Sequence, residues 1–128
     1  MIAAAGVKRL NRTERVTEYF AVTDITPAPG QGILAVEIRE GCSKVMPLLK
    51  YIDEPLVRTI AIAERTFSAT LGGGCKTPLG AYATISDDTL TLYGMVADGN
   101  DNIKRSSVSG PSAKAEQIAY DLAEQLRF

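Results

Sequence analysis

The chain of 128 residues contains no histidine. The side chain that most often acts as a base near neutral pH, and most often binds metals, is therefore missing. Its two cysteines, Cys42 and Cys75, lie far apart and form no metal-spaced pair. So few cysteines do not make a disulfide framework. Reduced thiols, no metal site and a cytoplasmic setting are expected. No apolar run approaches the ~20 residues that span a bilayer. Met1 to Gly6 lacks the basic leader and cleavage context of a signal peptide. Formal net charge is only −1, so no overall field draws the chain onto nucleic acid or an anionic membrane. There is no internal repeat, and the acids show no convergent pair.

What is present fits a globular domain: 45% apolar and 23% charged residues. Residues 1–10 read as an alanine-rich helix with Lys8 and Arg9 near its end, entered as if from within a larger element. Thr13 is expected to cap a short helix over Glu14 to Phe20. Two prolines and two glycines between Thr26 and Gly32 mark a turn, and Ile33 to Ile38 reads as a buried strand. A boundary follows at Gly41-Cys42, dividing the chain into residues 1–42 and 43–128. Beyond it, a helix capped by Ser43 is expected to reach about Tyr51, with Pro47 tolerated only in its first turn. Asp53-Glu54-Pro55 then starts a long helix to about Leu71, with Asp53 as the N-cap. Ile60, Ala63, Phe67 and Leu71 form its apolar stripe.

After this helix the period changes to two. Strands are expected over Leu79 to Ile85, Thr89 to Val96 and Asn102 to Ser109, with turns at Asp87-Asp88 and Gly99-Asn100-Asp101. A final helix runs to about Leu126 with Ala115, Ile118, Ala119, Leu122 and Leu126 on one face. The fold class is α+β: a three-stranded antiparallel sheet packed against helices. Residues 1–42 form no closed unit, since their strand has no partner nearby.

Between helix and sheet stands Gly72-Gly73-Gly74-Cys75-Lys76-Thr77-Pro78. Glycines free one flank of the thiol of side chains, so that another molecule can lie against the main chain. The same run also reads as an ordinary C-cap and loop, and a lone cysteine as a small buried hydrophobe. Lys76 favours the thiolate, whereas the negative end of the preceding helix opposes it.

Three stretches together resemble the porphobilinogen deaminase (hydroxymethylbilane synthase) family: Ala3-Ala4-Ala5-Gly6-Val7-Lys8-Arg9; Pro27-Ala28-Pro29-Gly30-Gln31-Gly32 leading to Val36-Glu37-Ile38-Arg39; and Ala63-Glu64-Arg65 followed by Gly73-Gly74-Cys75-Lys76-Thr77-Pro78-Leu79-Gly80. The resemblance covers the chain but only the C-terminal part of a family member. It implies a transferase of tetrapyrrole, porphyrin and heme biosynthesis that condenses four porphobilinogens into hydroxymethylbilane on a dipyrromethane cofactor. It further implies that Cys75 holds that cofactor by a thioether, with Gly73 and Gly74 beside it. Arg9, Gln31 and Gly32 match positions that face substrate or growing oligopyrrole. Guanidinium suits carboxylates because it pairs with them as a planar fork. Residues 1–42 would then be the end of domain two and the return strand of domain one, remnants of α/β domains. Residues 43–128 would be the cofactor-anchoring domain. The family's catalytic aspartate lies in an N-terminal region not matched here, so no catalytic residue is assigned, and the chain alone is expected to be inactive without those N-terminal domains as partners. Glu64 and Arg65 fall in a segment that matches the family, but a structural pair on the helix surface explains them as well, and they are left out of the site.

The residue pattern alone also admits a small α+β module that binds a ligand or partner on its sheet face and leaves Cys75 a free thiol. A cysteine-nucleophile enzyme is disfavoured by the lack of histidine.

Overall fold

The computed structural model describes residues 1–74, 77–100 and 102–128. Its centre is an antiparallel sheet in the order β1-β2-β3, made of Leu79–Ser86, Thr89–Ala97 and Ile103–Pro111. Ser86 pairs with Thr89 around a two-residue loop, and both loop residues, Asp87 and Asp88, have positive φ (47° and 62°). That is the backbone of a primed hairpin turn, whose twist matches that of the flanking strands. The β2–β3 connection is held differently. The Asp98 carboxylate accepts hydrogen bonds from the Asn100 and Asn102 amides and from Asn102 Nδ2.

Alternation along β2 places Leu90, Leu92, Gly94 and Val96 on one buried face, as the pattern of two predicts. Two helices cover that face: α3, Pro55–Thr70, and α4, Ala115–Leu126. α3 supplies Ala63 and Phe67, and α4 supplies Ile118, Ala119, Leu122, Ala123 and Leu126. Phe67 is fully buried, and its ring lies against Gly94, where an added Cβ would come within 2.8 Å of the ring carbons. Only glycine lets the ring approach the strand this closely. The fold class is thus the α+β sheet-and-helix layer expected from the sequence.

The N-terminal half departs from expectation. α1, Ala4–Arg9, ends at Asn11, which has φ of 50°. The helix expected over Glu14 to Phe20 shrinks to a 3-10 turn at Thr13–Arg15, with no side-chain cap. Tyr19 and Phe20 are exposed, so no apolar face was available to stabilise a longer helix. The strand expected at Ile33 to Ile38 is absent: the segment joins no ladder, Leu34 is 98% exposed and Val36 61% exposed. A strand needs a neighbour to receive its backbone hydrogen bonds, and none lies beside it among the described residues. α2 is shorter than expected, Met46–Leu49, with Pro47 in its first turn. At α3 the N-cap position is Glu54, without a side-chain cap bond. Asp53 instead forms an exposed ion pair with Arg58 at 2.7 Å.

Candidate functional site

α3 ends in a glycine cap. Gly72 has φ of +70°, and its amide donates to the Ala69 carbonyl at 3.0 Å. The Gly73 amide donates to the Ser68 carbonyl at 2.7 Å. These two bonds are the Schellman arrangement that closes a helix through a left-handed residue. An added Cβ on Gly73 would lie 2.5 Å from the Ser68 carbonyl oxygen, whereas one on Gly74 would meet no described atom within 4 Å. Two of the three glycines are therefore spent on stopping the helix, Gly72 by its left-handed φ and Gly73 by its close contact, while Gly74 has open space and no positive φ. Gly73 and Gly74 are both exposed. Cys75 and Lys76, the expected anchor and its cationic neighbour, lie outside the described residues.

Arg127 fastens the root of this loop. Its guanidinium donates to the Thr70 carbonyl at 2.8 Å and to Glu124 at 2.6 Å. Glu124 holds the Arg127 guanidinium above its ordinary range. A cation on the last carbonyls of α3 offsets the negative end of the helix, which would otherwise face the loop.

The segment bearing Gln31 and Gly32 is a proline-glycine turn. Gln31 N–H donates to the Ala28 carbonyl at 3.0 Å, with Pro29 second and Gly30 (φ +75°) third, the signature of a type II turn. This turn is docked on β1. Ala81 N–H donates to the Pro27 carbonyl at 2.9 Å. A Cβ on Gly80 would come within 2.7 Å of the Thr26 carbonyl oxygen, so the two backbones nearly touch.

Glu64 completes the junction and corrects the expectation of a surface pair. It is only 4% exposed. One carboxylate oxygen accepts the Gly30 amide at 2.7 Å and the other accepts the Ala83 amide at 2.9 Å. Arg65, one residue on, is exposed, because adjacent residues point about 100° apart on a helix. The spacing carried the signal: Glu64 lies four residues after Ile60 and three before Phe67, inside the apolar stripe. An acid in that stripe must find hydrogen-bond donors.

Of the expected site residues, Gln31 and Gly32 lie on the docked turn and Gly73 and Gly74 on the capped loop. Arg9 sits exposed in the last turn of α1 and makes no ion pair among the described residues. Cys42 is a half-buried free thiol. On the outer face of the sheet, Tyr82 and Tyr93 pair across the strands with ring centroids 6.5 Å apart. An open groove of about 250 Å³ lies there between Thr23, Thr26, Tyr93, Arg105 and Ser107. Among the described residues, no cluster of acids and cysteines has metal-binding geometry, and no helix is long and apolar enough to cross a membrane.

Comparison with known proteins accords with these features. Residues 1–47 match the family model described as porphobilinogen deaminase, dipyromethane cofactor binding domain. Residues 59–127 match the model described as porphobilinogen deaminase, C-terminal domain. The porphobilinogen deaminase of Roseiflexus castenholzii is 41% identical over 126 residues, covering 98% of this chain and 42% of the relative. That of Syntrophotalea carbinolica is 42% identical over 128 residues, covering 98% of this chain and 40% of the relative. That of Chromobacterium violaceum is 40% identical over 127 residues, covering 98% and 41%. The chain thus spans about two fifths of the length of the curated relatives it matches. With both family models matched in order along one chain, this protein belongs to the porphobilinogen deaminase family.

Proposed function

We propose that this chain is the cofactor-anchoring C-terminal part of a hydroxymethylbilane synthase, the transferase that joins four porphobilinogens head to tail with loss of ammonia. The observation that carries the reading is the continuity of the match, which covers 98% of the chain at about 40% identity. The open flank at Gly74 supports it, because a Cβ added there would meet nothing within 4 Å among the described residues. When bound, the dipyrromethane group supplies the free pyrrole end on which the product grows.

The chain's own residues then have distinct tasks. Cys75 would hold the group through one thioether, an S–C bond replacing its S–H at a pyrrole methylene carbon whose amine leaves as ammonia with the thiol proton. That bond forms once per protein molecule, so modest activation of the thiol suffices. Arg127 assists by offsetting the negative end of α3. Gly72 and Gly73 stop the helix ahead of the anchor. Arg9 offers a charged planar fork to acetate and propionate groups, and Gln31 and Gly32 offer polar backbone and amide groups from the docked turn. The missing catalytic acid and most of the substrate-binding cations belong to the remaining N-terminal domains, which are partners in the reaction, and a cytoplasmic setting suits a chain with reduced thiols.

Intact mass of the purified chain, with peptide mapping, tests the anchor. A mass excess of two linked pyrrole units on the peptide containing Cys75 is expected wherever the chain has been matured with its N-terminal domains. Normal pyrrole loading of a full-length protein carrying Cys75→Ser would remove the central claim.

A further inference from the structure

We infer that Glu64 is a positioning residue that holds the Ala28–Gln31 turn and both roots of the glycine loop in one frame. The geometry is specific. Glu64 lies on α3, the helix that runs into the loop, and one of its oxygens holds Ala83 of β1, the strand that leaves the loop. Its other oxygen holds Gly30, the third residue of the turn that carries Gln31. A single carboxylate therefore connects three chain segments separated by 19 and 34 residues.

The chemistry demands a carboxylate. Both partners are N–H donors, so the side chain must present two acceptors and no donor. A glutamine of the same shape has one acceptor and one NH2, and the NH2 would confront a backbone N–H. The Ala83 bond is buried and the Gly30 bond is half-buried. The single glutamine oxygen would keep Ala83, whose amide has no access to water, and release Gly30, whose amide can be hydrated. The turn would then detach from the frame while the helix stayed on the sheet. Ala81 N–H to the Pro27 carbonyl would remain as its only backbone tether among the described residues.

The functional weight of this frame rests on the reading of Gln31 and the loop as parts of one site. The frame itself is tested in the chain alone, by amide hydrogen exchange of the wild type and Glu64→Gln. Gly30 is expected to exchange roughly tenfold faster or more in the variant, as suits the loss of a charge-assisted bond, with Ala83 and Leu92 unchanged. An isosteric variant that leaves Gly30 as protected as before overturns the proposal, because Glu64 would then act by volume alone. Equal acceleration at Leu92 also overturns it, because the effect would be general loss of stability. If Glu64→Gln does not fold, the wild type decides. Protection at Gly30 above that of a free peptide supports the latch, and peptide-like exchange there sinks it. None of these outcomes depends on whether Cys75 carries pyrrole, which the mass measurement reads separately.

Discussion

Gly73 and Gly74 adjoin in the chain, yet a methyl group would lie 2.5 Å from the Ser68 carbonyl oxygen at the first and in open space at the second. Substitution separates their roles. Gly73→Ala is expected to cost about 1–3 kcal/mol, the usual range for an overpacked site, seen as a lower midpoint in urea unfolding. Gly74→Ala should leave that midpoint unchanged, so any loss of pyrrole loading in a full-length protein with that change would report on the cofactor alone. The sequence announced the loop clearly but not this division of labour. Which glycine of a run sits at the left-handed cap depends on where the helix stops, and that depends on tertiary packing of Phe67 and Leu71. Glu64 was hidden for a related reason. Its neighbour Arg65 invited a surface pairing, and only the apolar stripe around Glu64 spoke against it.

At the scale of elements, the helices and strands of the C-terminal half were legible because each carries a full period of buried residues. β2 alternates without a break, and α4 keeps its apolar residues on one face. Phe67 joins the two layers, and Phe67→Ala is expected to cost about 3–5 kcal/mol, measurable by the same denaturant midpoint. The elements that failed to appear lacked such support. The residues after Thr13 had no packing surface, and Asp53 found Arg58 rather than the helix amides. The β2–β3 turn gives a pH prediction. Hydrogen bonds from the Asn102 side chain and the Asn100 amide hold the Asp98 carboxyl below its ordinary value of 3.8. A lowered folded-state value means that the ionised form is the one bound. The turn's contribution is therefore present above about pH 4 and fades as the pH falls through the lowered value. Amide exchange at Asn100 and Asn102 should accelerate on acidification beyond its intrinsic pH dependence, and Asp98→Asn should abolish that extra sensitivity.

For the whole molecule, the buried core is confined almost entirely to residues 63–126, with Val7 the exception. Native-state hydrogen exchange should accordingly show the slowest amides in residues 43–128 and fast exchange through 33–39, whose carbonyls and amides join no ladder. Slow exchange across 33–39 in the isolated chain would contradict this picture. The apolar, β-branched run from Ile33 to Ile38 pointed to a buried strand, but the segment forms none and Leu34 and Val36 stand in solvent. Tyr51 and Ile52 are exposed as well.

The sheet has two edges, and they are treated differently. β1 is sealed by the Pro27 carbonyl and the Glu64 carboxylate, which occupy the amides of Ala81 and Ala83. β3 carries no such cover among the described residues, and its edge alternates Lys104, Arg105 and three serines with only Ile103 and Val108. Charged and hydroxylated side chains on an open edge discourage the stacking of one molecule's strand on another's. The consequence concerns handling at high concentration: β3 is guarded by its own charges, whereas β1 depends on two borrowed acceptors, so losing the Glu64 carboxylate would free the Ala83 amide and leave the Pro27 carbonyl on Ala81 as that edge's remaining cover among the described residues.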